Sequence, residues 1–155
     1  MSAERAQEPL LGWRIWLVAR GLLLAVVWGN EWRPQARFEA ECEDAAASVF
    51  WQNPPRQPHR APDARCDCGI YAFKARGEAD FLAREKTGAA LLAVGRASLW
   101  GRIIETERGY RAQYAYPYDL ELLGGSADIA GELRASYAVD VSLMPAAIPL
   151  HVGSG

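Results

Sequence analysis

Alternation of apolar and polar positions gives the outline of this chain. Trp13, Ile15 and Leu17 alternate with Arg14, Trp16 and Val18, a twofold period that predicts a strand. Arg20-Gly21 marks a turn, and the apolar run 22–28 predicts a second, more buried strand that completes an opening hairpin. A short buried helix carries the same signature in so brief a run. Gly29-Asn30 ends the run, Arg33-Pro34 keeps the chain extended, and a third strand is expected over 36–42.

Residues 43–67 break the pattern. One or two helical turns fit 44–50, and then Pro54, Pro55, Pro58 and Pro62 forbid regular structure. A loop this long inside a compact domain normally has a function. Order returns with a strand over 69–74 and a short helix over 78–86 anchored by Phe81 and Leu82. Three further β segments are expected over 91–100, 102–107 and 110–116, with Gly109 at positive φ in a hairpin turn and Pro117 ending the ladder. Tyr110, Ala112, Tyr114 and Tyr116 fall on one face of the last segment, and Arg111 and Gln113 on the other. Gly124-Gly125-Ser126 opens a helix capped by Ser126, whose stripe Ile129, Leu133 and Tyr137 recurs every four residues. A final extended piece covers 139–143.

This order predicts an α+β fold: a small twisted antiparallel sheet or partly open β-barrel, one or two short helices, and a zinc-pinned loop. Residues 1–10 are read as a disordered lead-in, 11–145 as one β-rich domain and 146–155 as a flexible tail. The bulk figures agree, since 155 residues, half of them hydrophobic and 23% charged, suit one globular domain. A net charge of -2 lacks the basic footprint of a dedicated nucleic-acid binder. The stretch 13–28 is too short for a membrane span and is interrupted by Arg14 and Arg20. Glu4 and Glu8 at the opening speak against a secretory signal, so a cytoplasmic, reducing setting is expected, where cysteines serve as metal ligands or free thiols.

All three cysteines and one of the two histidines fall close together, as Cys42, His59, Cys66 and Cys68. Three thiolates and an imidazole complete a tetrahedral set, the mark of one structural zinc per chain. Gly69 after the second cysteine of Cys66-Asp67-Cys68 permits a tight turn. A single Cys-x-Cys pair is less typical of zinc than Cys-x-x-Cys, so two other readings stay open. The thiols act as small buried hydrophobes, or Cys42 pairs with Cys66 or Cys68 in redox chemistry. Asp63 and Asp67 stand near enough in sequence to replace a ligand.

Several segments form a longer pattern: Gly12-Trp13-Arg14-Ile15-Trp16; His59-Arg60-Ala61-Pro62 through Cys66-Asp67-Cys68-Gly69-Ile70-Tyr71-Ala72; and Leu99-Trp100-Gly101-Arg102-Ile103-Ile104-Glu105 with Gly109-Tyr110-Arg111-Ala112-Gln113-Tyr114-Ala115-Tyr116-Pro117. In these the chain resembles a set of short uncharacterised bacterial proteins. The resemblance spans roughly residues 12–143 and implies one intact domain, with no activity attached.

No phosphate loop, nucleophile elbow or His-Glu-x-x-His occurs. The chain therefore reads as a non-enzymatic binding or adaptor module, with another protein as its partner and no membrane role. Trp51, Arg56, Arg60, Trp100 and Arg111 are the expected binding residues, because arginines interleaved with aromatics suit recognition surfaces. Trp100 before Gly101 also suggests a bulge or a ligand's close approach. The alternatives are a hydrolase-type enzyme using Glu105 in a pocket near Trp100, and a nucleic-acid-binding accessory protein, which the net charge disfavours.

Overall fold

The computed structural model describes residues 9–27, 29–42, 59–86 and 90–144. Residues 1–8 of the expected lead-in at 1–10, the helical turns at 44–50, the binding residues Trp51 and Arg56, and the expected tail at 146–155 lie outside these, while Leu10 already belongs to the first strand. In chain order the elements are β1 (Leu10–Ala19), β2 (Leu22–Leu24), β3 (Glu31–Trp32), β4 (Phe38–Glu39), β5 (Ile70–Phe73), α1 (Arg76–Glu85), β6 (Leu91–Glu105), β7 (Gly109–Leu122), α2 (Ala127–Tyr137) and β8 (Asp140–Leu143).

The strands form one eight-stranded sheet, and the fold is α+β. The sheet is mixed rather than purely antiparallel, and it is not a clean barrel. Helix α2 returns the chain so that β8 lies parallel to β7, from Asp119 opposite Asp140 to Leu122 opposite Leu143. A helical crossover between neighbouring strands permits this where a tight hairpin would not. Elsewhere the pairing is antiparallel, and it runs in a circuit. Strand β1 pairs with β6, β6 with β7, and β7 with β5, while β5 reaches β1 through the single pair Trp13–Phe73.

Alternation along β1 divides the core between the two sheet faces. Ile15, with Leu92 and Val94 from β6, packs against Ala79 and Ala83 of α1. Trp16 and Val18 face the other way, into a larger cluster with Leu99, Ala115, and Leu133 and Tyr137 of α2. Fully burying side chains of this size contributes roughly 1.5–3 kcal/mol each. Ser126 caps α2, its Oγ accepting from the Ile129 N–H at 3.3 Å, and the stripe Ile129, Leu133 and Tyr137 faces the core as its period requires.

Several expectations need correction. The segment 22–28 is a strand only over Leu22–Leu24, because Ala25 donates to the Asn30 carbonyl at 2.8 Å and closes a turn leading into β3. The expected third strand contracts to Phe38–Glu39, paired with Ala115 and Tyr114. In α1 the inward residues are Ala79 and Ala83, four apart, which leaves Phe81 on the solvent side and 56% exposed. The two expected segments form one strand, Leu91–Glu105, since a bulge at Gly101 (φ +76) and Arg102 absorbs the break between them, and residues 106–107 belong to the turn before β7. Pro117 does not end β7. A second register shift, with Ala97 opposite Pro117 and Arg96 opposite Asp119, extrudes Tyr118 and lets the strand continue to Leu122. Gly109 is needed for close approach and not for positive φ: a Cβ there would stand 2.2 Å from the Ala72 carbonyl oxygen.

Candidate metal centre

The four expected ligands come from two places in the sheet. Cys42 lies just beyond β4, where the Ala40 N–H donates to the Gln113 carbonyl at 2.8 Å and carries the strand direction past its formal end. His59, Cys66 and Cys68 belong to the segment that enters β5. Asp63 shapes that segment: its Oδ1 accepts from the Arg65 N–H at 2.8 Å and its carbonyl from the Cys66 N–H at 3.1 Å, an Asx-type turn. Gly69 then turns the chain at φ +127. A Cβ at Gly69 would meet the Arg111 Cβ at 2.9 Å and the Pro62 Cβ at 3.0 Å, so close approach as well as backbone conformation requires glycine there.

Within the cluster Cys42 Sγ lies 3.6 Å from Cys66 Sγ, and Cys68 Sγ lies 3.4 Å from His59 Nε2. All four donor atoms fall within 4.8 Å of one another. A tetrahedron with metal–sulfur bonds of ~2.3 Å and a metal–nitrogen bond of ~2.0 Å places sulfur atoms ~3.7 Å apart, and sulfur ~3.5 Å from nitrogen. The two observed distances match these edges, so the group could hold a metal ion. They are far from the S–S bond of about 2.05 Å, and no disulfide joins the three cysteines. Asp63 and Asp67 are not among the converging donors, and Asp63 spends Oδ1 on its own turn.

The electrostatics separate the thiols. Burial raises the Cys66 thiol, but hydrogen bonds from the Cys42 thiol and from the Cys68 backbone and side chain outweigh it and bring it down to about 7. Burial pushes the Cys68 thiol up to about 11, with its interaction with Cys66 adding to the rise. One thiolate in the cluster therefore discourages the next, which is how crowded soft donors behave without a cation to share. The Arg65 backbone hydrogen bond holds the Asp63 carboxyl below the usual carboxylate range.

Arg111 is the support that the sequence did not reveal. It is expected among the surface binding residues, yet it is only 9% exposed. From β7 its Nη1 donates to the carbonyls of Asp63 at 3.3 Å, Cys68 at 2.9 Å and Cys66. A guanidinium suits this task because its donors are charged, planar and fixed in direction. Tyr71 adds a second tie, its hydroxyl donating to the Asp67 carbonyl. The available signal was an arginine in the otherwise aromatic and small-residue ladder 110–116.

The other expected residues divide. Arg60 is exposed next to His59. A polar cleft of about 460 Å³ opens there between the Cys42–His59 side of the cluster, Arg60, Gln113 and Tyr114. Trp100 is 37% exposed, its ring centroid 6.0 Å from that of Tyr114, and Arg37 lies over the Tyr114 ring at 4.1 Å. Glu105 does not point inward. Its side chain is 67% exposed and pairs with Lys74 Nζ at 2.9 Å, and it is not in the lining of the cleft beside Arg60.

No helix among the described residues is long and apolar enough to cross a membrane. Comparison with protein-family models, with curated proteins and with solved structures gave no match.

Proposed function

We propose that the chain is a non-enzymatic protein-binding module in which one zinc ion, held by Cys42, His59, Cys66 and Cys68, fixes the recognition surface. The observation that carries this reading is the convergence of four soft and borderline donors within 4.8 Å of one another, with two of their separations at the edge lengths of a zinc tetrahedron. A closed set of four leaves no position for substrate or water, so the ion's role is structural. It ties the two ends of the proline-containing stretch, Cys42 and His59, to the turn before β5.

The surface beside it has the composition of an interface. Trp100, Tyr114 and Arg37 form an aromatic and cationic patch next to the cleft that holds Arg60. Trp, Tyr and Arg are the residues that dominate recognition energetics.

Elemental analysis with a thiol count tests the metal, and site-specific photocrosslinking tests the partner. One zinc per chain, with thiols protected until chelation, is expected. A photocrosslinker at position 60 or 100 is expected to capture a discrete protein in the native cell, and Cys68→Ser to abolish the capture. Absence of zinc from freshly purified protein removes the structural centre, and crosslinking unaffected by Cys68→Ser removes its link to recognition.

A further inference from the structure

A second cavity, of about 570 Å³, lies on the other side of the β5 entry segment, with Cys68, Gly69 and Tyr71 in its wall. Its lining is mainly apolar, including Ile15, Val26, Trp32, Phe38, Ile70 and Leu82. That volume is in the range of small-molecule sites, which are typically apolar with few polar groups. The cation in the lining is Arg14, in the middle of the hydrophobic alternation of β1.

The Arg14 guanidinium stacks over the Trp32 ring at 4.5 Å and the Trp16 ring at 5.4 Å. Its Nη1 donates to the Tyr71 carbonyl at 2.9 Å. Its Nε is shut off from solvent without a hydrogen-bond partner. Among the described residues no carboxylate forms an ion pair with it, although Glu31, Glu39, Glu41 and Asp67 also line the cavity. Those four are exposed, so they stand at the mouth while the cation sits deeper. Burial draws the Arg14 guanidinium down to about 10, which still leaves it charged at neutral pH. Holding a half-buried cation without its counter-charge costs stability. The indole stack offsets part of that cost and also fixes the plane of the group.

We propose that this cavity binds a small monocarboxylate with an apolar body, the carboxylate meeting Arg14 and the body filling the space lined by Val26, Phe38 and Leu82. Two features set the class of ligand. A planar guanidinium already oriented by stacking is the complement of a carboxylate. The four exposed carboxylates at the mouth repel any anion and a second anionic group most, so one carboxylate is bound in preference to two. The cavity borders the zinc cluster through Cys68, and ligand recognition in it rests on Arg14 rather than on the ion.

Isothermal titration of the full chain with phenylacetate, 3-phenylpropionate, 4-phenylbutyrate and octanoate, each beside its neutral amide, tests the assignment. At least one acid is expected to bind about tenfold or more tightly than its amide, the difference a charge-assisted contact supplies. Phenylsuccinate is expected to bind more weakly than 3-phenylpropionate. The bound acid is expected to shift the Arg14 Nε–H resonance, a readout on the unmodified protein. Arg14→Met, which keeps the stem, is expected to remove the preference for acid over amide. Equal binding of acids and amides, or no binding of any acid at millimolar concentration, overturns the proposal.

Discussion

Arg111 reaches across from β7 to donate to the backbone carbonyl of Cys66, 45 positions earlier in the chain, and the same nitrogen serves Cys68 and Asp63. The ligand turn is thus held by the sheet as well as by whatever ion the thiols bind. In metal sites the groups behind the ligands set affinity almost as strongly as the ligands do.

Arg111→Met keeps most of the volume and removes the donor. The Cys66 and Cys68 carbonyls lose this donor while the Asp63 carbonyl keeps the Cys66 N–H, and hydrogen bonds to a charged group contribute about 1.5–3 kcal/mol. We expect stability in urea to fall by about 2–4 kcal/mol and zinc affinity to fall about 10- to 100-fold, measured by competition with a chromophoric chelator. Arg111→Lys should recover only part of either, since one ammonium cannot reproduce the directed fork. Unchanged zinc affinity in the Met variant would show that the turn is ordered without the sheet's help.

Removal of the metal should loosen one segment and spare the sheet. The larger hydrophobic cluster draws on β1, β2, β3, β5, β6, β7, β8 and α2 and the smaller on β1, β6 and α1, and none of the four ligands belongs to either. Hydrogen exchange in the presence of chelator is therefore expected to accelerate over residues 59–69, while amides of β6 and β7 remain protected. Uniform acceleration across β6 and β7 would mean that the metal supports the whole fold.

How much of this could be read beforehand differs from feature to feature. The convergence of Cys42, His59, Cys66 and Cys68 was legible because thiols and imidazole have few other reasons to gather near one glycine-ended Cys-x-Cys. The cap and stripe of α2 were legible because Ser126, Ile129, Leu133 and Tyr137 state both a boundary and a period. The parallel β8 was not, since local pattern carries no information on strand direction. The length of β7 was misread because proline normally ends a ladder, whereas here Tyr118 is extruded and the strand continues past Pro117. Arg111 was read as a surface binding residue and Arg14 as a break in an apolar run, for a common reason. Where an arginine settles depends on its tertiary partners, three loop carbonyls in one case and two indole faces in the other.

The thiols of the metal-free protein should titrate in order. With Cys66 brought down to about 7 and Cys68 pushed up to about 11, thiolate absorbance is expected to rise first near neutral pH and last well above it. Cys66→Ser should delete the early step. A lowered thiol favours the folded state above its ordinary value of 9.0, and that contribution is lost as pH falls through 7. The apo protein should therefore lose stability between pH 9 and 7 by a step that Cys66→Ser lacks. Coincident titration of all three thiols near pH 9 would contradict the arrangement.

Tyr137 provides the test of the core beneath α2. Its buried hydroxyl accepts from the Leu23 N–H at 2.8 Å and donates to the Trp32 carbonyl, so one oxygen joins α2 to both β2 and β3. Its own carbonyl accepts from the Tyr116 hydroxyl at 2.8 Å, which in turn accepts from the Gln35 N–H at 2.8 Å. Tyr137→Phe keeps the ring and leaves a buried donor and acceptor without partners, a loss of about 1–3 kcal/mol. Burial raises the Tyr137 phenol above its ordinary value of 10.0, which favours the protonated side chain in the folded state. That contribution is full below pH 10 and is lost as pH rises through the raised value. Denaturation midpoints of the wild type and the Phe variant should therefore converge in strong alkali and differ below it, whereas a constant gap at every pH would mean that the phenol ionises as freely folded as unfolded.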